Sequence, residues 1–312
     1  MAFFNVNGEF LRTVPVGALP DALAFTPDGQ RLVVANEGEP NDEYTVDPEG
    51  SISVIDLSNG LEQATVATAD FTAFNGQADA LRARGVRIFG PNATVAQDLE
   101  PEFVTVTPDS STAVVTLQEN NAIAVVDLAT ATVTEIRPLG IKDAAQPGNG
   151  FDASDHDGRI DIRNHPVFGL YQPDAIDTFT VGGNVYFITA NEGDARDYDG
   201  FSEEVRVEDL TLDPDRFPNA SDLQSESNLG RLRTTNAQGD LDGDGDVDQI
   251  FAFGGRSFTV WDTAGNRVFD SGDQLERITS AANAEFFNAT NDENNFDNRS
   301  DDKGPEPEAV TV

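Results

Sequence analysis

The chain has 312 residues, with 56 acidic against 19 basic side chains and a net charge of -37, a balance that repels nucleic acid and anionic membrane surfaces alike. It has no cysteine, so neither a disulfide framework nor a thiolate metal site is available. At 38% hydrophobic residues it holds enough apolar matter for a core, but no apolar run approaches the roughly 20 residues needed to cross a bilayer. Three readings of the acidity compete: binding of divalent cations, chiefly calcium; adaptation to high salt; and a plain solvated acidic face.

Residues 2–16 (AFFNVNGEFLRTVPV) predict a hairpin turning at Asn7-Gly8, read as the last two strands of a four-stranded unit. The first full unit spans 20–69. Its strands are expected at Ala22–Phe25, Leu32–Ala35 and Ser51–Asp56, with a fourth after the turn Leu57–Gly60. Gln77–Arg84, followed by Gly85, is the one stretch that suggests a helix. The second unit, 101–138, repeats the plan with strands at Phe103–Thr107, Ala113–Leu117, Ala122–Asp127 and Val133–Arg137. The third, 173–272, has strands near Ile176–Thr180 and Val185–Ala190, then a long polar insertion at 191–248, then Phe258–Asp262 and Asn266–Asp270. Glu306–Val312 (EPEAVTV) repeats Glu100–Val106 (EPEFVTV) at all but one position, so 305–312 read as the first strand of a further unit. Asp56, Asp127 and Asp262 close the third strand of each unit and set the register of the repeat.

A recurring four-stranded unit that cannot cover its own faces is the signature of a propeller blade. The expectation is therefore all-β: a single propeller domain over 1–312 of antiparallel four-stranded blades. It would be an incomplete ring of about three to four blades from a larger, seven-bladed propeller, with the rest of that propeller as partner. First-to-second and third-to-fourth strand turns are short. The other connections are long, so all elaboration falls on one face, where loops on a rigid scaffold usually carry function.

That face gathers carboxylates. Asp21, Glu102, Asp174 and Glu308 stand at the mouth of each first strand, and Glu37, Glu119 and Glu192 just after each second strand. Crowded like charges call for a hard cation with oxygen ligands. The competing reading is that each Asn-Glu-Gly corner only shapes a turn. Arg196, set among Asp194, Asp197 and Asp199, is a candidate clamp for a phosphate or carboxylate, or simply an ion-pair partner. The run DLDGDGDVD matches the first half of a calcium loop. Asp240, Asp242 and Asp244 would be side-chain ligands, Asp246 a backbone ligand and Asp248 the ninth position, but Phe251 stands where the closing Glu belongs. A weaker echo, FDASDHDGRIDI, offers Asp152, Asp155, Asp157 and Asp161 for a second ion, while His165 reads as structural.

The segments LVVANEGEP, GSISVIDL, EPEFVTVTPD, NAIAVVDL, GFDASDHDG, ANEGDARDY and GPEPEAVTV together resemble the choice-of-anchor I domain family over nearly the whole chain. The resemblance implies a propeller region of a large exported bacterial or archaeal protein, secreted or held at the cell surface. Some members are labelled atypical alkaline phosphatases, a class similar to calcium- and iron-dependent propeller phosphatases. Two functions are expected on this basis. The first is a calcium-binding surface or secreted module that binds an unknown ligand or serves adhesion or scaffolding. The alternative is a metal-dependent phosphomonoesterase with calcium, iron or another divalent metal held by Glu37, Glu102, Glu119, Glu192 and Glu308. There a metal-bound water would attack a phosphate ester and Arg196 would steady the phosphoryl oxygens.

Overall fold

A computed structural model describes residues 1–312. Its regular structure is almost entirely β. In chain order the strands are β1 (Ala2–Phe4), β2 (Phe10–Thr13), β3 (Pro20–Phe25), β4 (Arg31–Asn36), β5 (Ser51–Asp56), β6 (Thr65–Asp70), β7 (Pro101–Val106), β8 (Thr112–Leu117), β9 (Ala122–Asp127), β10 (Thr132–Pro138), β11 (Ile141–Asp143), β12 (Val167–Leu170), β13 (Ala175–Val181), β14 (Asn184–Asn191), β15 (Asp197–Tyr198), β16 (Phe201–Ser202), β17 (Glu204–Arg206), β18 (Arg233–Thr235), β19 (Ile250–Ala252), β20 (Ser257–Asp262) and β21 (Arg267–Asp270). The helices are α1 (Ala78–Arg84), α2 (Val95–Asp98), α3 (Ala220–Leu223) and α4 (Gln274–Ala282).

Three antiparallel four-stranded sheets carry the architecture: β3-β4-β5-β6, β7-β8-β9-β10 and β13-β14-β20-β21. Their strands are rich in Val, Ile and Thr, whose branched side chains fit a pleated, packed surface. The turns are built by aspartates. Thr26 Oγ1 donates to Asp28 Oδ1 at 2.6 Å, which also accepts Gln30 N at 3.0 Å. Asp109 repeats this with Thr107 Oγ1 at 2.7 Å and Ser111 N at 3.1 Å. Asp56, Asp127 and Asp262 each accept a backbone N–H two residues on, at 2.8, 2.9 and 2.9 Å. The repeated aspartates are thus side-chain caps of tight turns.

The first strands of the three sheets adjoin, with β3 beside β7 and β7 beside β13. The second sheet lies between the other two, and its position shows in burial: Val104 and Val106 of β7 are 2% and 7% exposed, while the matching Leu23 and Phe25 of β3 are 48% and 56% exposed. The largest core, including Val33, Ile52, Phe71, Leu81, Leu99, Val115 and Leu117, joins the first two sheets to α1 and α2. Val114, Ile123, Tyr171, Phe187 and Trp261 join the second sheet to the third. The β1-β2 hairpin packs Met1, Phe3 and Val14 on Leu32, Val34 and Ile55 of the first sheet.

Three expectations need correction. The insertion at 191–248 is not merely polar. With the connection after β10 it builds a fourth sheet, β11-β12-β19-β18-β17, in which β12 and β19 run parallel. It has its own core of Val167, Val207, Leu212, Phe217, Leu223, Leu229, Leu232 and Ile250. These apolar residues are scattered among charges with no period of 2 or 3.6, so the pattern that betrays a strand or helix is missing. Lys142, one of the two lysines, ties this sheet to the third by donating to Gly255 O at 2.7 Å and Gly272 O at 2.9 Å. Second, α1 forms at Ala78–Arg84, within the expected Gln77–Arg84, with Gly85 in the left-handed region (φ 99°), and α4 is a longer helix beyond the one expected. Its buried residue is Glu276, while Ile278 is 60% exposed, an inversion of the usual apolar stripe. Third, residues 305–312 form no strand. Strand geometry is held by a neighbour's hydrogen bonds, and here Val312 N instead meets the Asp177 carboxylate at 2.9 Å.

A candidate metal centre at the common end of the sheets

Sheet register brings the acids together. Pro20 pairs with Asn36, Pro101 with Leu117 and Ala175 with Ala190, so each first strand begins where its second strand ends. A bulge follows Pro20 in β3 and Pro101 in β7. Bulges re-aim side chains, and these two fall at Asp21 and Glu102. The carboxylates of Glu37, Glu102, Glu119, Asp174 and Asp194 consequently influence one another across the three sheets.

This cluster, the acidic well, has two buried members. Glu102 and Glu119 are 8% and 6% exposed, and Oε2 of each has no hydrogen-bond partner. Burial, reinforced by Glu119 and Glu37, holds the Glu102 carboxyl well above the usual range. Burial and then Asp194 push Glu119 up to about 7. Burial and then Glu119 push Glu37 up to about 8, and burial and then Glu192 push Asp174 up to about 7. A buried carboxylate without a partner is costly. The group must therefore hold a proton or meet a cation. The donor set is all oxygen, with no histidine or sulfur among these side chains, which suits a hard ion such as calcium.

Arg196 is no substrate clamp. Its side chain is fully buried. The guanidinium pairs with the Asp98 carboxylate, donates to Asp98 O at 2.7 Å and to Glu100 Oε2 at 3.3 Å, and lies 4.5 Å from the centre of the Phe89 ring. Arg87 stacks 4.3 Å from the same ring, pairs with Glu203 and donates to Glu119 O at 2.5 Å. The two arginines form a platform beneath the well. Burial still holds Glu100 well above its ordinary value despite Arg196.

At the rim, Glu192, Glu306 and Glu308 each offer an oxygen within 4.8 Å of the others. Lys303 reaches this group, 3.8 Å from Glu192, 3.1 Å from Glu306 and 3.4 Å from Asp194. Glu306 had a signal in the sequence, because it occupies the place of Glu100 in the repeated EPE segment.

The aspartate-rich loop divides in two. Asp240, Asp242 and Asp244 converge as one exposed triplet, whereas Asp246 and Asp248 converge with Asp213. Asp240 is committed to its own backbone, accepting Gly243 N at 2.7 Å and Gly245 N at 3.1 Å. Asp213 comes from a distant segment brought in by the Leu212–Val247 bridge, which the loop's own spacing could not reveal.

The second ion site expected at 152–161 does not assemble from those four residues. Asp155 makes a bidentate pair with Arg231 at 2.6 and 3.0 Å. Asp161 meets Arg159 at 2.9 Å and Arg163 at 3.0 Å, and Asp157 meets Arg159 at 3.2 Å. For these three, arginines do what a cation was expected to do. His165 is structural, as expected: it is buried and bonded through Nε2 to Phe151 O at 3.0 Å, with its pKa lowered to about 4, chiefly by burial.

Comparison with known proteins adds a family. Gigasin-3a of Magallana gigas is 35% identical over 97 residues, 29% of this chain and 34% of that protein, so the match spans about a third of its length. Among solved structures, the dihydro-heme d1 dehydrogenase NirN superposes with a TM-score of 0.31 at 12% identity, over 85% of this chain and 39% of that one. Hydrazine synthase of Kuenenia stuttgartiensis gives 0.26 at 16% identity, over 81% and 65%. Likenesses this distant carry no argument about function. The choice-of-anchor I domain profile matches residues 1–312, and the chain belongs to the choice-of-anchor I domain family.

Proposed function

We propose that this chain is a divalent-cation-binding β-propeller module of a cell-surface protein, with calcium in the acidic well. The single observation that carries the reading is the pair Glu102 and Glu119, buried with an unpartnered oxygen each. The three four-stranded sheets are consecutive blades in this proposal, and β1-β2 is the outer half of a preceding blade. Two features support this: the first strands adjoin one another, and the hairpin covers β4 and β5 but leaves Leu23 and Phe25 of β3 bare. Those bare faces are the surfaces that further blades of a ring would cover. The loop triplets Asp240/Asp242/Asp244 and Asp213/Asp246/Asp248 take calcium as well in this reading. Surface placement is supported by the family.

A second reading, metal-dependent phosphomonoesterase, is favoured by Lys303 standing against the Glu192/Glu306/Glu308 triplet. A cation beside a metal-holding cluster is the arrangement that receives a phosphoryl group. One preparation tests both. Metal analysis of the purified protein is expected to find calcium that Glu102→Gln with Glu119→Gln removes, and protein without a bound divalent ion overturns the module. Hydrolysis of a chromogenic phosphate ester, abolished by chelator and restored by calcium, would make the second reading the right one.

A further inference from the structure

Away from the well, a second set of buried oxygens lacks partners. Asp297 is 1% exposed; its Oδ1 accepts Ser300 Oγ at 2.5 Å, and its Oδ2 meets nothing. Asn288 is 7% exposed; its Nδ2 donates to the same Ser300 Oγ at 2.8 Å, and its Oδ1 also meets nothing. The backbone fixes the two side by side, since Asp297 N donates to Phe287 O and Arg299 N to Asn288 O, both at 2.8 Å.

Asp152, in the fourth-sheet region, is joined to the same segment through Arg256. It is 1% exposed. The Arg256 guanidinium donates to Asp152 O at 2.7 Å and to Ser300 O at 2.9 Å, so one side chain holds both segments. Asp152 Oδ2 accepts Asp161 N at 2.6 Å and its Oδ1 accepts Ser154 N at 3.4 Å, with no side-chain donor to either. No arginine or lysine pairs with Asp152 or Asp297, although Asp155, Asp157 and Asp161 all have an arginine.

We infer that Asp152, Asp297 and the Asn288 side-chain oxygen form a buried site for one hard divalent cation, calcium by its donor set, that clasps 287–301 to the fourth sheet. Two carboxylates and an amide oxygen drawn from distant segments make a calcium-type oxygen set. A single ion would answer the two unpaired oxygens, Asn288 Oδ1 and Asp297 Oδ2. This site is independent of the well, and either can fall without the other.

Native mass spectrometry of the full chain, saturated with calcium, tests it. Asp297→Asn is expected to bind one calcium fewer per chain than the parent, while Glu102→Gln with Glu119→Gln loses a different ion and keeps this one. An unchanged ion count in a folded Asp297→Asn variant overturns the site and leaves the well standing. Should that variant fail to fold, hydrogen exchange on the unaltered chain decides. Calcium is expected to slow exchange at the amides of Asp297 and Arg299 at least tenfold relative to chelator-treated protein. Equal exchange with and without calcium overturns the inference.

Discussion

Two acidic regions of this molecule look alike as text and differ as chemistry. The loop 240–248 has five aspartates in nine residues, yet Asp240, Asp242 and Asp244 are exposed and engage backbone N–H groups of their own turn. Glu102 and Glu119 lie 17 positions apart in sequence, and each ends buried with an oxygen that nothing answers. Water can screen the loop at little cost. It cannot reach the two buried members of the well, where desolvation sets the energy. The density of carboxylates along a chain is therefore a poor measure of its need for a cation; burial without a partner is the better one.

The sharpest way to break this contrast is to remove the platform under the well. Arg196→Gln strips the fully buried Asp98 and Glu100 of their guanidinium. It is expected to cost about 3–5 kcal/mol, the usual penalty for leaving a buried charge uncompensated. Urea unfolding measures it. A folded, equally stable variant would show that the arginine platform contributes nothing to stability.

Next comes the ion itself. Chelation is expected to lower stability by about 4 kcal/mol relative to protein held at a thousandfold excess of calcium over its Kd. Glu102→Gln with Glu119→Gln should remove the largest share of that difference, whereas an aspartate-loop variant should retain most of it. If the loop variant abolishes it instead, the comparison is inverted.

Acidity offers a third test. In the ion-free protein Glu37 titrates near 8, and Glu119 and Asp174 near 7, against about 4 in an unfolded chain. Between those limits the folded state binds more protons than the unfolded one. The stabilisation is complete below about pH 4 and is lost as pH rises through about 7 to 8. Chelator-treated protein should therefore melt higher at about pH 5.5 than at about pH 8.5, and calcium should narrow or reverse the gap by holding the carboxylates ionised. A melting temperature in chelator that climbs with pH would contradict the well's electrostatics.

The smallest effect belongs to the loop. Asp242→Asn with Asp244→Asn is expected to shift the melting temperature of chelator-treated protein by under about 2 °C, as exposed substitutions do. A large drop would mean that this loop, not the well, carries the structural load.

Much of the scaffold could be read from residues alone because its signals are local. TPDG and TPDS announce turns whose aspartates hydrogen-bond within a few residues. The strands that follow them are short runs rich in β-branched residues. The fourth sheet could not be read in this way. Its strands are three or four residues long, come from segments up to about a hundred positions apart, and include a parallel pairing that local pattern does not encode. The site divides along the same line. Glu37, Glu102, Glu119, Asp174 and Glu192 were legible from their repeated positions in each unit. Asp213, Asn288 and Asp297 were not, because each matters only through a neighbour contributed by a distant stretch.

From sequence alone came the repeated four-stranded unit, the turn chemistry, the negative charge and the face on which it gathers. These follow from short-range rules of backbone geometry and side-chain hydrogen bonding, which act over a few residues. Tertiary structure decided which carboxylates are in need. It set Arg196 under the well and gave arginines to Asp155, Asp157 and Asp161, while Glu102, Glu119 and Asp297 were left buried with an oxygen unpaired. The physical reason is that desolvation depends on everything packed around an atom, and that surrounding is assembled from the whole chain.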